Sequence, residues 1–133
     1  MRSLWMLGLL AASALVRADH CQYFWLYQCI QVVDAQQRQI EQVLLLPDRL
    51  QQFPRAAEDS CQDQAEQRMS AIAEQLHRRF DQAARDYPQC QTPIGAISLR
   101  SHDDHQRVER QWQRALRPSA QKTLVQIEGL PAL

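Results

Sequence analysis

The chain has 133 residues, with 15 basic and 15 acidic side chains, so its formal net charge is zero at pH 7. This length is enough for one hydrophobic core but not for two, which favours a single domain. The balanced charge by itself identifies no class of partner.

Residues 1–18 have the layout of a secretory signal peptide. Arg2 precedes a short apolar run, and small residues then offer cleavage sites after Ala14 or Ala18. The apolar run is shorter than the roughly 20 residues that a membrane-spanning helix needs, and no other run approaches that length. We therefore predict a secreted or periplasmic protein with no transmembrane segment, whose single domain covers 19–133.

Four cysteines remain in the predicted exported chain: Cys21, Cys29, Cys61 and Cys90. Four cysteines in a short exported chain predict two disulfides, because that compartment is oxidising. No pair has the C-x-x-C spacing, which gives no support for a zinc ribbon or a thioredoxin-like redox site.

The order of the predicted elements indicates an all-α protein. Only three glycines occur, which leaves few of the turns that a β-sandwich needs. Apolar residues instead recur at helical spacing. The predicted elements are a first helix over 22–46, a second over 54–87, a loop over 87–98, a third helix over 101–117 and a short fourth segment from Pro118. The expected fold is a small disulfide-stapled bundle of three to four helices.

The predicted second helix restricts how the cysteines can pair. About 26 helical residues span ~39 Å, whereas the Cα atoms of a disulfide lie roughly 4.4 to 6.8 Å apart, so Cys61 cannot pair with Cys90. Two connectivities remain. If the first two helices run antiparallel, Cys90 returns to the start of the first helix, which favours Cys21 with Cys90 and Cys29 with Cys61.

Five consecutive large apolar side chains, Tyr23 to Tyr27, point all the way round the predicted first helix and need two covers. Phe24 and Tyr27 lie away from the stripe centred on Cys29. We expect Trp112, on the apolar face of the third helix, to cover them. A second protein molecule is the alternative cover, so Phe24 and Tyr27 are also candidate partner contacts and a homodimer is possible.

Five arginines share one face of the predicted third helix: Arg100, Arg107, Arg110, Arg114 and Arg117. Guanidinium groups bind carboxylates and phosphates bidentately, so this face predicts a protein partner or an anionic surface. Nucleic acid is not expected, because an exported protein rarely meets it and no groove with interleaved aromatic residues is visible.

His102, His105 and Glu109 lie at positions i, i+3 and i+7 of the same predicted helix. This spacing would place them within one arc, close enough to hold a zinc or copper ion. The stretch from Ser101 to His105 also suits the start of a helix, with Ser101 as the N-cap and Asp103 and Asp104 as acids in the first turn.

The leading hypothesis is an exported small helical interaction protein with no catalytic activity and no cofactor. A metal-binding envelope protein that uses His102, His105 and Glu109 is the alternative. A small hydrolase is a third possibility, although no serine stands in a Gly-x-Ser-x-Gly turn and disulfides account for the cysteines. No motif in the sequence identifies a family.

Overall fold

The computed structural model describes residues 20–34, 36, 39–56, 58–90 and 97–133. The predicted signal peptide, 1–18, lies outside the described residues, as does part of the predicted loop, 91–96. The described chain forms a mixed α/β fold with five strands and two α-helices. In chain order these are β1 (His20–Asp34), β2 (Gln39–Pro47), β3 (Gln51–Pro54), α1 (Cys61–Ala84), a 3-10 turn (Pro88–Cys90), β4 (Ser98–Ser101), α2 (His105–Leu116) and β5 (Lys122–Ile127).

The predicted all-α bundle is therefore wrong, and the error lies mainly in the first predicted helix. Residues 22–46 form most of β1 and β2. Aromatic and β-branched side chains favour a strand, and a strand buried on both faces has a continuous apolar run instead of an alternating one. Tyr23 to Tyr27 is such a run, so the two covers that it needs lie on the two faces of a sheet.

Strand β1 is the centre of this sheet. Its second half pairs antiparallel with β2, with Tyr27 opposite Leu45, and its first half pairs antiparallel with β3. Strand β4 pairs with β1 from Tyr23 to Leu26, and β5 adds to β2 in parallel. Because β1 contacts three other strands, it positions almost the whole sheet.

Both helices coincide in part with predicted helices. Helix α1 lies within the predicted second helix, and its N-cap, Ser60, accepts a hydrogen bond from the backbone N–H of Asp63. Helix α2 begins at His105 and has Asp104 as its N-cap, not Ser101. The hydroxyl of Ser101 instead donates to the carbonyl of Gln22 on β1. The predicted fourth helical segment is strand β5.

Helix α1 covers one face of the sheet, which we call the inner face. Every second side chain of β1 points to this inner face, including Tyr23, Trp25 and Tyr27. The ring of Tyr27 stacks on Phe80 of α1, with centroids 5.6 Å apart. The inner face therefore carries the larger of the two apolar clusters.

Helix α2 covers part of the opposite face, which we call the outer face. Phe24, Leu44 and Leu46 pack there against Val108 and Trp112. The rings of Phe24 and Trp112 meet edge to face with centroids 5.2 Å apart. The expectation that Trp112 covers Phe24 is confirmed, whereas Tyr27 lies on the inner face and is covered by α1.

Two disulfides join β1 to the segment that contains α1. Cys21 pairs with Cys61 and Cys29 pairs with Cys90, with Cα atoms 5.5 and 5.0 Å apart. Cys61 does not pair with Cys90, as predicted. The favoured connectivity, Cys21 with Cys90 and Cys29 with Cys61, is wrong. Strands β2 and β3 return the chain to the start of β1, where Phe53 lies opposite Cys21. Helix α1 therefore starts beside Cys21 and runs in the same direction as β1.

Two disulfides are typical of a protein that folds in an oxidising, extracellular environment. Among the described residues, no helix is both long enough and apolar enough to cross a membrane.

Candidate functional site

An open cleft lies between α2 and the outer face of the sheet. Helix α2 has 12 residues and spans about 18 Å, whereas the 15 residues of β1 span about 50 Å, so the helix cannot cover the whole face. The uncovered part forms a cleft of about 390 Å³. It is lined by Phe24, Leu26, Gln28, Gln42, Leu44, Arg100, Gln111, Arg114, Ala115 and Lys122.

The floor of the cleft is apolar. Phe24 and Leu44 are buried beneath α2, and Leu26 is half-buried beside them. Ala115 adds a small apolar side chain from the helix wall. Leu26 and Ala115 are partly exposed, so a bound group can bury apolar atoms against these two side chains.

Three cationic side chains surround the floor and come from three different elements. Arg100 lies on β4, Arg114 on α2 and Lys122 on β5. No aspartate or glutamate is part of the described lining. Both arginines are exposed, and neither guanidinium group makes a hydrogen bond or an ion pair with the described residues. Their guanidinium groups are thus available to an anionic ligand.

Lys122 has a structural role as well as a charge. Its Nζ donates to the carbonyl oxygens of Ala115 at 2.6 Å and Arg117 at 3.1 Å, at the C-terminal end of α2. A cation at this end is favoured by the helix dipole. Burial, and then the nearby charge of Arg117, lower the pKa of the Lys122 ammonium. Lys122 therefore fixes the end of α2 against the sheet and keeps a positive charge beside the cleft.

Three glutamines supply neutral hydrogen-bonding groups to the cleft. Gln28 Nε2 donates to Gln42 Oε1 at 2.7 Å across the β1–β2 pair. Gln28 Oε1 and Gln42 Nε2 have no further partner among the described residues, so an acceptor oxygen and an NH2 group remain for a ligand. Gln111 adds an amide from the helix.

The predicted arginine face is divided by the structure. Arg100 lies on β4, and Nη1 of Arg107 points to His102 Nε2 at 3.4 Å. The other three, Arg110, Arg114 and Arg117, line a shallow depression of about 440 Å³ on the exposed side of α2, together with Glu109, Gln106 and Gln113. Arg114 lines both this depression and the cleft.

The predicted metal ligands are not brought together. Helix α2 begins only at His105, so His102 precedes it, and His102 Nδ1 accepts the backbone N–H of Asp104 at 2.9 Å. His105 Nε2 lies 2.9 Å from the carbonyl oxygen of His20, and Glu109 is exposed. Within the described part of the chain, no three His, Cys, Asp or Glu side chains form a group that could hold a metal ion.

The two aromatic residues considered as partner contacts lie inside the protein. Phe24 is 0% exposed and Tyr27 is 5% exposed. The Tyr27 hydroxyl donates to Asp81 Oδ1 at 3.3 Å, within the contact between β1 and α1. Both side chains therefore contribute to the cores instead of offering surface to a partner.

The arginine pattern of the sequence predicted Arg100 and Arg114 as contacts but did not indicate Lys122 or the glutamines of the sheet. A period of two along β1 places Phe24, Leu26 and Gln28 on one face, and this pattern could have revealed part of the cleft lining. The parallel pairing that brings Lys122 opposite Gln42 has no local signal in the sequence.

No protein-family model matches the chain, and comparisons with curated proteins and with solved structures found no match either.

Proposed function

We propose that the protein is an exported binding protein, secreted or periplasmic, that recognises an anionic partner in the cleft between α2 and the outer face. The observation that carries this proposal is the set of three cations, Arg100, Arg114 and Lys122, around an apolar floor with no carboxylate in the lining. The proposal concerns binding and includes no catalytic step.

The chemistry of the cleft favours carboxylate or phosphate groups. A guanidinium group presents parallel N–H donors that match two oxygens of such an anion. Hydrogen bonds to charged groups contribute about 1.5 to 3 kcal/mol each, more than neutral ones do. Arg100 and Arg114 have no described partner to give up when an anion binds.

The apolar floor distinguishes the cleft from a solvated basic patch. An anion that binds above Leu26 is partly removed from water, and its attraction to the cations is stronger in that setting than in bulk solvent. A partner that carries apolar groups beside its anion also gains from burial against the floor. The preferred partner is therefore both anionic and partly apolar.

The test uses the purified disulfide-bonded protein and a fluorescein-labelled hexaglutamate peptide, followed by fluorescence anisotropy. The double variant Arg100→Glu with Arg114→Glu replaces both free cations by acids, and we expect at least a tenfold loss of affinity. Added salt should weaken wild-type binding, because contacts between exposed charges are screened.

Arg85→Glu with Arg78→Glu is the matched control, because both arginines are exposed on or next to α1, which covers the inner face. This control makes the same change in net charge. An equal loss in the two double variants would show that only net charge matters, and no binding to the wild-type protein at low salt would also reject the proposal.

A further inference from the structure

Exposed apolar side chains continue the cleft along the β1–β2 hairpin. The large apolar residues that are exposed in the described structure all belong to this hairpin: Ile30, Val32, Val33 and Ile40. Ile30 is 52% exposed, Val32 is 59% exposed and Ile40 is 44% exposed. Exposed apolar side chains that cluster together mark an interaction site more often than those scattered singly over a surface.

The strand register places three of these residues on the same face as the cleft. Val32 lies opposite Ile40, Ile30 lies opposite Gln42, and Gln28 lies opposite Leu44. Side chains two residues apart along a strand share a face, so Ile30 and Val32 follow Leu26 and Gln28 on the outer face. We call Ile30, Val32 and Ile40 the hairpin patch.

The hairpin patch and the cleft together form one surface. Val32 lies six positions after Leu26 along β1, which corresponds to about 20 Å at the rise of a strand. Cations lie at the cleft end, whereas the carboxylate of Asp34 is at the far end of the hairpin, where Oδ1 accepts the N–H of Gln36. The charge of Glu41 is on the other face, opposite Gln31.

We propose that this surface docks an acidic, amphipathic peptide segment of a partner protein, with its carboxylates in the cleft and its apolar side chains on the hairpin patch. This inference rests on the proposed function, and it names the class of partner. A span of about 20 Å suits about six residues of extended peptide or about 13 residues of helix.

The shape and polarity of the surface favour a peptide over a lipid bilayer. An α-helix with its side chains is about 10 Å across, so α2 stands above the cleft floor and would hold a flat bilayer away from Leu26. The free acceptor on Gln28 and the free donor on Gln42 match the N–H and C=O groups of a peptide backbone. A peptide can enter the cleft beside α2 and also reach the hairpin patch.

The probe is obtained by selecting phage-displayed random dodecapeptides on the immobilised disulfide-bonded protein. We expect the enriched sequences to combine Asp or Glu with aliphatic or aromatic residues. The tightest peptide is then synthesised with two analogues, one with its apolar residues changed to serine and one with its acids changed to glutamine. Selection of peptides without acids, or without apolar residues, would overturn the inference.

The decisive variant is Ile30→Thr with Val32→Thr, which removes apolar surface but keeps residues that favour a strand. We expect at least a tenfold loss of affinity for the selected peptide and less than a twofold change for its serine analogue. Gln31→Thr, an exposed change on the other face of the same strand, should leave both affinities unchanged. Ile40→Thr provides a second, independent test from β2, and circular dichroism checks that each variant is folded.

Three outcomes decide whether this inference, the proposed function or both fail. If Arg100→Glu with Arg114→Glu abolishes peptide binding but the threonine variants bind normally, the cleft binds anions and the hairpin patch has no role. If neither set of variants affects binding, both proposals fail. Binding to phosphatidylglycerol vesicles that depends on Ile30 and Val32, without peptide binding, would overturn the inference in favour of a membrane surface.

Discussion

The two faces of the sheet are covered in different ways. On the inner face, 24-residue helix α1 runs along β1, and both disulfides join β1 to the segment that contains this helix. On the outer face, 12-residue helix α2 has no disulfide and covers only part of the surface. The difference supports the proposed division of roles, in which the inner face stabilises the fold and the outer face binds a partner.

The side chains of strand β1 point alternately to the inner and the outer face. Trp25 and Tyr27 belong to the inner cluster, and Phe24 belongs to the outer one. Because the inner contacts hold β1 in place, the outer face can leave apolar and cationic groups exposed without loss of the fold. Variants that alter one face should therefore change either stability or binding, but not both equally.

The largest expected effect comes from a disulfide on the inner face. Changing Cys29 and Cys90 together to serine opens a bridge with a sequence separation of 61. A loop of this size corresponds to about 4 kcal/mol of stability in the chain-entropy account. Urea denaturation should show a lower midpoint for the double variant, whereas an unchanged midpoint would mean that the bridge does not hold α1 on the sheet.

A matched pair of leucine substitutions compares the two faces directly. Leu76 of α1 is fully buried on the inner face, whereas Leu26 is half-buried beside the cleft. Leu76→Ala should reduce the free energy of unfolding by about 3 kcal/mol, and Leu26→Ala by about 1 kcal/mol, because a partly open site leaves a smaller cavity. Equal losses in urea denaturation would contradict the contrast between the faces.

The smallest expected effect is a pH dependence of the inner face. Burial, and then the charge of Asp81 and the hydrogen bond to it, raise the pKa of Tyr27 above 10.0. The folded protein therefore keeps this proton where the unfolded chain has lost it. The resulting stability is fully present below about pH 10 and is lost as the pH rises through the raised pKa of the folded state.

Tyr27→Phe should flatten this alkaline loss of stability. The decline should not vanish, because burial also raises the pKa of Tyr23, which remains in the variant. Unfolding free energies measured between pH 8 and pH 11 provide the comparison. An equally steep decline in Tyr27→Phe and the wild-type protein would show that the Tyr27 hydroxyl does not contribute.

The helices were easier to predict from the sequence than the sheet. Helix α1 has apolar residues at helical spacing, including Leu76 and Phe80, and a capping serine at Ser60, all of which are local signals. Strand β1 is buried on both faces, so its run of large side chains hides the period of two. The predicted bundle does not contain the strands β2 and β3, which return the chain to the start of β1. The disulfide connectivity therefore could not be derived correctly from the sequence.

Part of the candidate site was also accessible from the sequence. Arginine side chains predicted an anionic partner, and Arg100 and Arg114 do line the cleft. Their common position could not be derived, because Arg100 reaches the cleft from β4 and Arg114 reaches it from α2. The prediction that both arginines lie on one helix is wrong, although the structure does bring them to the same cleft.

The most direct test of the division of roles is an NMR titration of the ¹⁵N-labelled protein with hexaglutamate. We predict chemical-shift changes along β1 from Phe24 to Gln28, at Arg100, around Arg114 and at Lys122, with little change in α1. Shifts concentrated in α1, or the absence of shifts at the cleft, would contradict the assignment of binding to the outer face.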